Sequence, residues 1–467
     1  MKEKRSAKKS LSYFDAMVTA FGAMIGWGWV ISTGSWIEEA GVLGTVLGFI
    51  IGGVMIFFVG LSYSELTTAV PTSGGTMMFT KLALGPGAAY ACSWMLTLSY
   101  IGVVCFEACA VPTVIQYIFP NFLKGYLYSV GGFDIYASWL IFAIAASLLI
   151  SYVNIRGIKA AAKLQTVLTI SIAAAGLLLV GASAFGGEAQ NLSSQLMAGE
   201  GLLSKLKNIF AIAAVSPFYL LGFDVIPQIA DEIDIPLRKI GSLMLFSIIL
   251  AVAFYVLVVL AVGYVLLPQE LETSMKLQRL VTADAMEKAF SSGTMAKVLI
   301  IGGICGIITS WNSFLIGGSR ILAAMARERM LPGWFAYEHR KYGTPVNAIL
   351  LIALLTLLSI FAGGALLNWI ADTASFACCA TYVFVALSFL ILRKKQPELQ
   401  RPYMVKSFRL VGTAALLMSL VMLLLYLIPG SGCTFEKEEW IILGIWLLLG
   451  AAMAIRSKIK YGSSFCK

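Results

Sequence analysis

Twelve apolar stretches recur along the chain, most near or above the roughly 20 residues a helix needs to cross bilayer hydrocarbon. They fall at 15–36, 41–66, 86–117, 135–153, 161–184, 207–230, 239–267, 295–324, 346–363, 366–392, 410–428 and 440–456. The pattern predicts an all-α integral membrane protein with twelve transmembrane helices. Two polar connections, 185–206 and 268–294, are long enough to hold short surface helices. Two of the spans are interrupted. Gly22, Gly26 and Gly28 sit in the middle of the first. Glycine disfavours a helix interior by about 1 kcal/mol relative to alanine. Three of them predict a break at mid-membrane; the alternative is close helix packing through small residues. Span six carries Pro217, Gly222 and Pro227, and proline removes a donor and clashes with the preceding turn.

A break frees backbone N–H and C=O groups that lipid cannot satisfy. They must face protein, water or a ligand. Paired interruptions five spans apart point to an inverted repeat with a binding site near the midplane. The repeats would cover about 15–184 and 207–392, giving a transport core of 15–392. A cytoplasmic N-terminal segment (1–14) precedes it. A cytoplasmic loop (393–409), two peripheral helices (410–456) and a cytoplasmic tail (457–467) follow.

Composition agrees with the span pattern. The chain is 59% hydrophobic and 12% charged, where soluble domains carry about 25% charged residues. The net charge of +10 raises the question of nucleic acid, but the basic residues lie between apolar spans. With the N-terminus inside, 26 of the 34 Lys and Arg fall in inner segments. That bias places both ends in the cytoplasm and assigns the charge to membrane orientation, with the lipid bilayer as the partner and no nucleic acid. Cys92, Cys105, Cys109, Cys305, Cys378 and Cys379 lie in apolar runs, against a disulfide framework. His339 is the single histidine, so no histidine metal cluster can form, and no cofactor is expected. The basic start, Lys2 to Lys9, lacks a convincing cleavage site after the first span. Scattered acids and one histidine do not make a membrane enzyme. No repeated filter loop suggests a channel.

Several motifs then stand in order. Gly22, Gly26 and Gly28 open the series. Pro71-Thr72-Ser73-Gly74-Gly75 follows span two. Gly222-Phe223-Asp224 leads to Ala230-Asp231-Glu232. Ser319-Arg320, Ala326-Arg327 and Leu331-Pro332 follow span eight, Thr344-Pro345 precedes span nine, and Arg393 with Arg401-Pro402 follows span ten. On these residues the chain resembles the amino acid–polyamine–organocation permease superfamily. The resemblance implies a leucine-transporter-type fold, with a five-plus-five inverted repeat and discontinuous helices one and six. It implies a permease of the plasma membrane carrying an amino acid or related small amine, coupled to protons or working by exchange. The substrate carboxylate would meet freed N–H groups at Ile25, Gly26, Trp27 and Gly28, and the amine would meet carbonyls near Phe218, Tyr219 and Gly222. The positive end of a half-helix independently suits an anion.

Two departures from the pattern matter. Trp27 stands where the family usually has a small residue, so either the pocket is narrow or Trp27 turns away. Leu168 to Ile172 replaces the region where some sodium-independent relatives carry a lysine; Lys159 and Lys163 lie nearer the cytoplasmic start. Thr309, Ser310 and Ser313 offer oxygens for a sodium site, although such hydroxyls commonly bond back to their own helix.

Single residues add candidates. Glu107 is a carboxylate near mid-membrane, a position that is functional by default. It either pairs with a substrate amine, carries a coupled proton or bonds a neighbouring helix. Asp224 follows the second break and either caps freed N–H groups or lines the path. Tyr100, Trp94, Phe218, Tyr219 and Trp311 are candidate gates, and Asp372 is expected at the outer interface. Asn191-Leu192-Ser193 fits a glycosylation sequon. Glu107 with a bulky Trp27 also fits a carrier for a cationic amine without a carboxylate, such as a polyamine or ethanolamine. Sodium-coupled symport is a further alternative.

Overall fold

The computed structural model describes residues 10–119, 121–277, 279–431 and 433–462. Among the described residues, ten helical stretches are long and apolar enough to cross a membrane. The chain is therefore a multi-pass membrane protein. The first stretch, Tyr13–Ala69, holds two helices, α1 (Tyr13–Met24) and α2 (Gly28–Ala69). A capping box starts α1: the Asp15 N–H donates to Ser12 Oγ, and the Ser12 N–H donates to Asp15. Just before it, the Ser10 and Leu11 N–H groups donate to the Glu232 carbonyl at 2.9 and 3.1 Å.

Helix α2 runs through the connection predicted at 37–40 but kinks at Gly41, whose φ is +73°. An outer loop answers the kink: the Val42 and Leu43 N–H groups donate to the Gln195 and Leu196 carbonyls at 2.9 and 2.8 Å. A Cβ at residue 41 would stand 2.6 Å from the Met197 backbone.

Next come α3 (Gly75–Leu84) and α4 (Pro86–Ile118). The most apolar window of α4 is wholly buried, so α4 is a core helix. An antiparallel hairpin, β1 (Tyr126–Val130) and β2 (Phe133–Tyr136), follows and turns at Gly131-Gly132. It adds a small sheet to the expected all-helical chain. The remaining helices are α5 (Ala137–Ile155), α6 (Ile158–Gly186), α7 (Ala189–Ser193), α8 (Gly201–Tyr219), α9 (Leu237–Val265), α10 (Pro268–Lys276), α11 (Val281–Phe290), α12 (Gly293–Arg327), α13 (Val346–Ile360), α14 (Leu366–Lys395), α15 (Phe408–Leu425) and α16 (Lys437–Tyr461). A 3₁₀ segment, Phe223–Glu232, continues α8 beyond its break. The short helices α7, α10 and α11 occupy the two polar connections. Asn191 in α7 is buried, and its side chain donates to the Tyr264 and Val265 carbonyls. It caps the end of α9 and is not presented as a glycosylation acceptor.

Helices α4, α8 and α12 form the centre, and α15 and α16 are the least buried. Two polar ties fasten this periphery. Trp94 and Trp446 stack at 4.4 Å, and each indole N–H donates to the other residue's carbonyl, at 2.9 and 3.1 Å. At the far end of α2, Glu65 is buried between Arg393 Nε at 2.6 Å and Arg401 Nε at 3.1 Å, and accepts the Val405 N–H at 2.8 Å. This node joins α2 to the end of α14 and the loop after it. Removing one partner from such a buried group leaves uncompensated charge, an effect of about 3–5 kcal/mol. Glu65→Ala should therefore lower the thermal midpoint of the purified protein strongly. Exposed Glu272→Ala, at an i,i+4 pair, should leave it near the parent value.

Candidate functional site

Helix α1 stops at Met24, and the chain is non-helical from Ile25 to Trp27 before α2 resumes at Gly28. Inside a membrane the freed carbonyls need donors from protein. Helices α9 and α12 supply them for Gly22, Ala23 and Met24, and α12 and α6 add bonds to carbonyls further inside α1. Tyr255 of α9 donates to the Met24 carbonyl at 2.8 Å. On α12, Ser310 donates to Ala23 at 3.2 Å and Ser313 to Thr19 at 3.3 Å, and the Thr309 hydroxyl is shared between Gly22 of α1 at 3.0 Å and Gly306 of its own helix at 2.8 Å. Thr169 of α6 donates to Val18 at 3.4 Å. Five carbonyls of α1 thus accept hydroxyls from its neighbours. The three candidate sodium ligands are all among these donors.

The second break lies against the first. Helix α8 ends at Tyr219, and Gly222 takes φ +144°. A Cβ on Gly222 would stand 2.7 Å from Ala23 Cβ and 2.9 Å from the Met24 nitrogen. A Cβ on Gly28 would stand 2.3 Å from the Tyr219 ring. Both contacts need the bare backbone of glycine. The Tyr219 hydroxyl donates to Ser32 Oγ at 3.0 Å, and its ring meets Trp36 at 4.7 Å. Phe218 turns to Phe106 of α4, edge to face at 5.2 Å. Asp224 holds the turn itself: Oδ1 accepts the Gly222 N–H and Oδ2 accepts the Tyr100 hydroxyl, both at 2.9 Å. It both caps the break and ties it to α4.

Glu107 of α4 reaches the first break. It is 3% exposed, and a Cβ on Gly26 would lie 2.9 Å from its Oε1. The same Cβ would lie 2.0 Å from Ser310 Oγ, so Glu107 and Ser310 meet the break at one glycine. Its Oε2 has no hydrogen-bond partner among the described residues. Trp27 turns away from this point. Its ring sits on Gly303 of α12, where a Cβ would be 1.9 Å from the ring. Gly306, one turn further, lies 3.0 Å from the Gly26 carbonyl by the same measure, and Ile172 of α6 closes that side. Of the two alternatives for Trp27, the structure shows the second. Trp29 packs edge to face on Phe254 at 5.4 Å. Ile25 and Trp311 are fully buried.

The structure thus gathers Gly26, Gly28, Glu107, Ser310, Tyr219 and Gly222 around the two breaks, and leaves the Trp27 ring outside them. Asp372 stands apart, in a pocket of about 400 Å³ with Glu436 and Glu439. Tyr255, Gly303 and Gly306 were not singled out from the sequence. Tyr255 carried a signal, a polar tip amid the aliphatic residues of span seven. Gly303 and Gly306 carried another, small residues one turn apart on a membrane helix.

The amino acid permease family profile matches residues 11–451. The branched-chain amino acid permease BcaP of Bacillus subtilis (strain 168) is 25% identical, over 96% of this chain and 92% of its own length. The methylthioribose transporter of the same organism is 24% identical over the same shares, 96% and 92%. Its aspartate-proton symporter is 25% identical over 88% of this chain and 78% of its own.

Tyr255→Phe should leave the Met24 carbonyl without its donor. An unsatisfied buried polar group is unfavourable by about 1–3 kcal/mol. The expected result is a lower unfolding midpoint with span one most affected, checked by thermal denaturation and by protease sensitivity at the first break.

Proposed function

The chain belongs to the amino acid permease family, and from that premise we propose that it is a secondary carrier of an amino acid or related small amine, working by alternating access. Twelve crossings follow if Tyr13–Ala69 counts as two, divided at the Gly41 kink, and the short apolar α13 counts as one beside the other nine. That count supports the five-plus-five repeat, with α1–α2 and α8–Phe223 as its broken spans. The basic bias of the inner segments supports both ends lying in the cytoplasm of a plasma-membrane protein.

One observation carries the reading of the site. Glu107, buried and with one oxygen unpaired, lies against Gly26 at the first break, where the backbone N–H groups are freed. Those groups suit an anion. A substrate carboxylate seeking them meets a second carboxyl already there. Two like charges at one buried site repel, and a proton on Glu107 removes the repulsion. Binding of a carboxylate-bearing substrate is thereby linked to protonation of Glu107. The substrate amine then faces the carbonyls beside Tyr219 and Gly222, with Asp224 and Tyr100 closing the inner side. The hydroxyls of Thr309, Ser310 and Ser313 hydrogen-bond carbonyls and keep their oxygen lone pairs, so the choice of protons over sodium as the coupling ion rests on Glu107. An aspartate-proton symporter among the relatives accords with this.

A cationic amine without a carboxylate is the second reading, favoured by the unpaired Glu107 oxygen alone. Proteoliposomes holding the purified protein separate the two. A panel of labelled amino acids and amines is offered with an inward proton gradient, an inward sodium gradient or neither. Saturable amino acid uptake driven by the proton gradient is expected. Uptake of polyamines only, or dependence on sodium, would reject the reading. Glu107→Gln should keep exchange of internal for external substrate but lose accumulation driven by the proton gradient. An unchanged pH profile in that variant would remove Glu107 from coupling.

A further inference from the structure

Three uncharged amides form a chain across the helices on the inner side of the first break. Asn154 of α5 donates from Nδ2 to the Ile150 carbonyl at 3.0 Å and to Asn312 Oδ1 at 2.9 Å. Asn312 of α12 donates from Nδ2 to the Ala161 carbonyl at 3.2 Å and to Gln165 Oε1 at 2.9 Å. All three side chains are buried. The direction of the chain is pinned by its ends. Backbone carbonyls only accept, so Asn154 and Asn312 must turn their amino groups toward Ile150 and Ala161. Gln165 then receives on its oxygen and presents its amino group on the far side.

That amino group faces α1. A Cβ on Gly22 would lie 2.8 Å from Gln165 Nε2, and glycine leaves the approach open. Yet Nε2 has no acceptor among the described residues. The nearby α1 carbonyls are already engaged, Val18 by Thr169 at 3.4 Å and Gly22 by Thr309 at 3.0 Å. The Thr169 bond is the longest of the five that hold α1. An unmade bond from a buried amide donor is unfavourable, whereas the amide N–H groups of Asn154 and Asn312 are all paired. The donor is therefore complementary to a position of α1 other than the one described.

We propose that Gln165 is a positioning residue for the movement of α1: its free amide N–H takes the Val18 or Gly22 carbonyl when the inner half of α1 shifts, and stabilises that second position. The Asn154–Asn312 chain holds the donor in place while α1 moves. The device rests on the alternating-access reading, since only a moving α1 has two positions to serve.

Hydrogen–deuterium exchange of the purified full chain in nanodiscs tests it without any substrate. A failure here leaves the transport reading to stand or fall on the uptake panel. Gln165→Met removes the free donor. It should slow exchange across residues 18–28 by roughly 3- to 10-fold, the weight of one net hydrogen bond, because the second position loses its stabilising contact. Thr169→Val removes a bond that holds the described position and should speed exchange over the same residues. Opposite signs support the proposal. Faster or unchanged exchange in Gln165→Met overturns it, since a merely structural amide would loosen α1 when lost. Gln165→Leu serves the same comparison if the methionine variant does not fold.

Discussion

A backbone opened inside a membrane has no water to fall back on, and most of what surrounds the two breaks answers that constraint. The first break leaves the last carbonyls of α1 without helical partners. Tyr255, Ser310, Thr309, Ser313 and Thr169 arrive from α9, α12 and α6 to supply hydroxyl donors. The second break is held by Asp224, which accepts its own turn's N–H and the Tyr100 hydroxyl. Single hydroxyl bonds of this kind are individually weak. Such a set holds the segment in register through several weak bonds.

Glycine makes the arrangement possible in a second way. Gly28 admits the Tyr219 ring, Gly222 admits Ala23 and Met24, and Gly303 admits the Trp27 ring. Each contact passes through the space a methyl group would fill. The two breaks therefore touch directly, and the bulk of Trp27 is stored in α12 and kept out of the central point. The same residue that looks obstructive in the sequence becomes a wedge between two helices.

Against this mostly neutral scaffold the carboxyls stand out by their partners. Glu65 is enclosed by two guanidinium groups and is a structural tie. Asp224 has both oxygens engaged. Glu107 alone combines burial, proximity to the break and an unpaired oxygen. The proposed binding and proton chemistry both rest on that residue.

The spans, the two breaks and an acidic side chain set among apolar residues at Glu107 were legible in the sequence. Hydropathy, glycine and proline act locally, and a charge amid apolar residues is conspicuous wherever it folds. Domain limits at the periphery, the hairpin at 126–136 and the continuity of α2 through 37–40 were less so, because short connections carry little periodic signal. What the tertiary structure alone decided is who meets whom. Trp27 against Gly303, Tyr255 against Met24, and Gln165 against Gly22 are pairs more than a hundred residues apart. Their contacts depend on how separate helices cross, and no local pattern encodes a crossing. The hydroxyls of Thr309, Ser310 and Ser313 illustrate the limit: their spacing placed them on one face, but only the packing of α12 against α1 gave them carbonyls to hold.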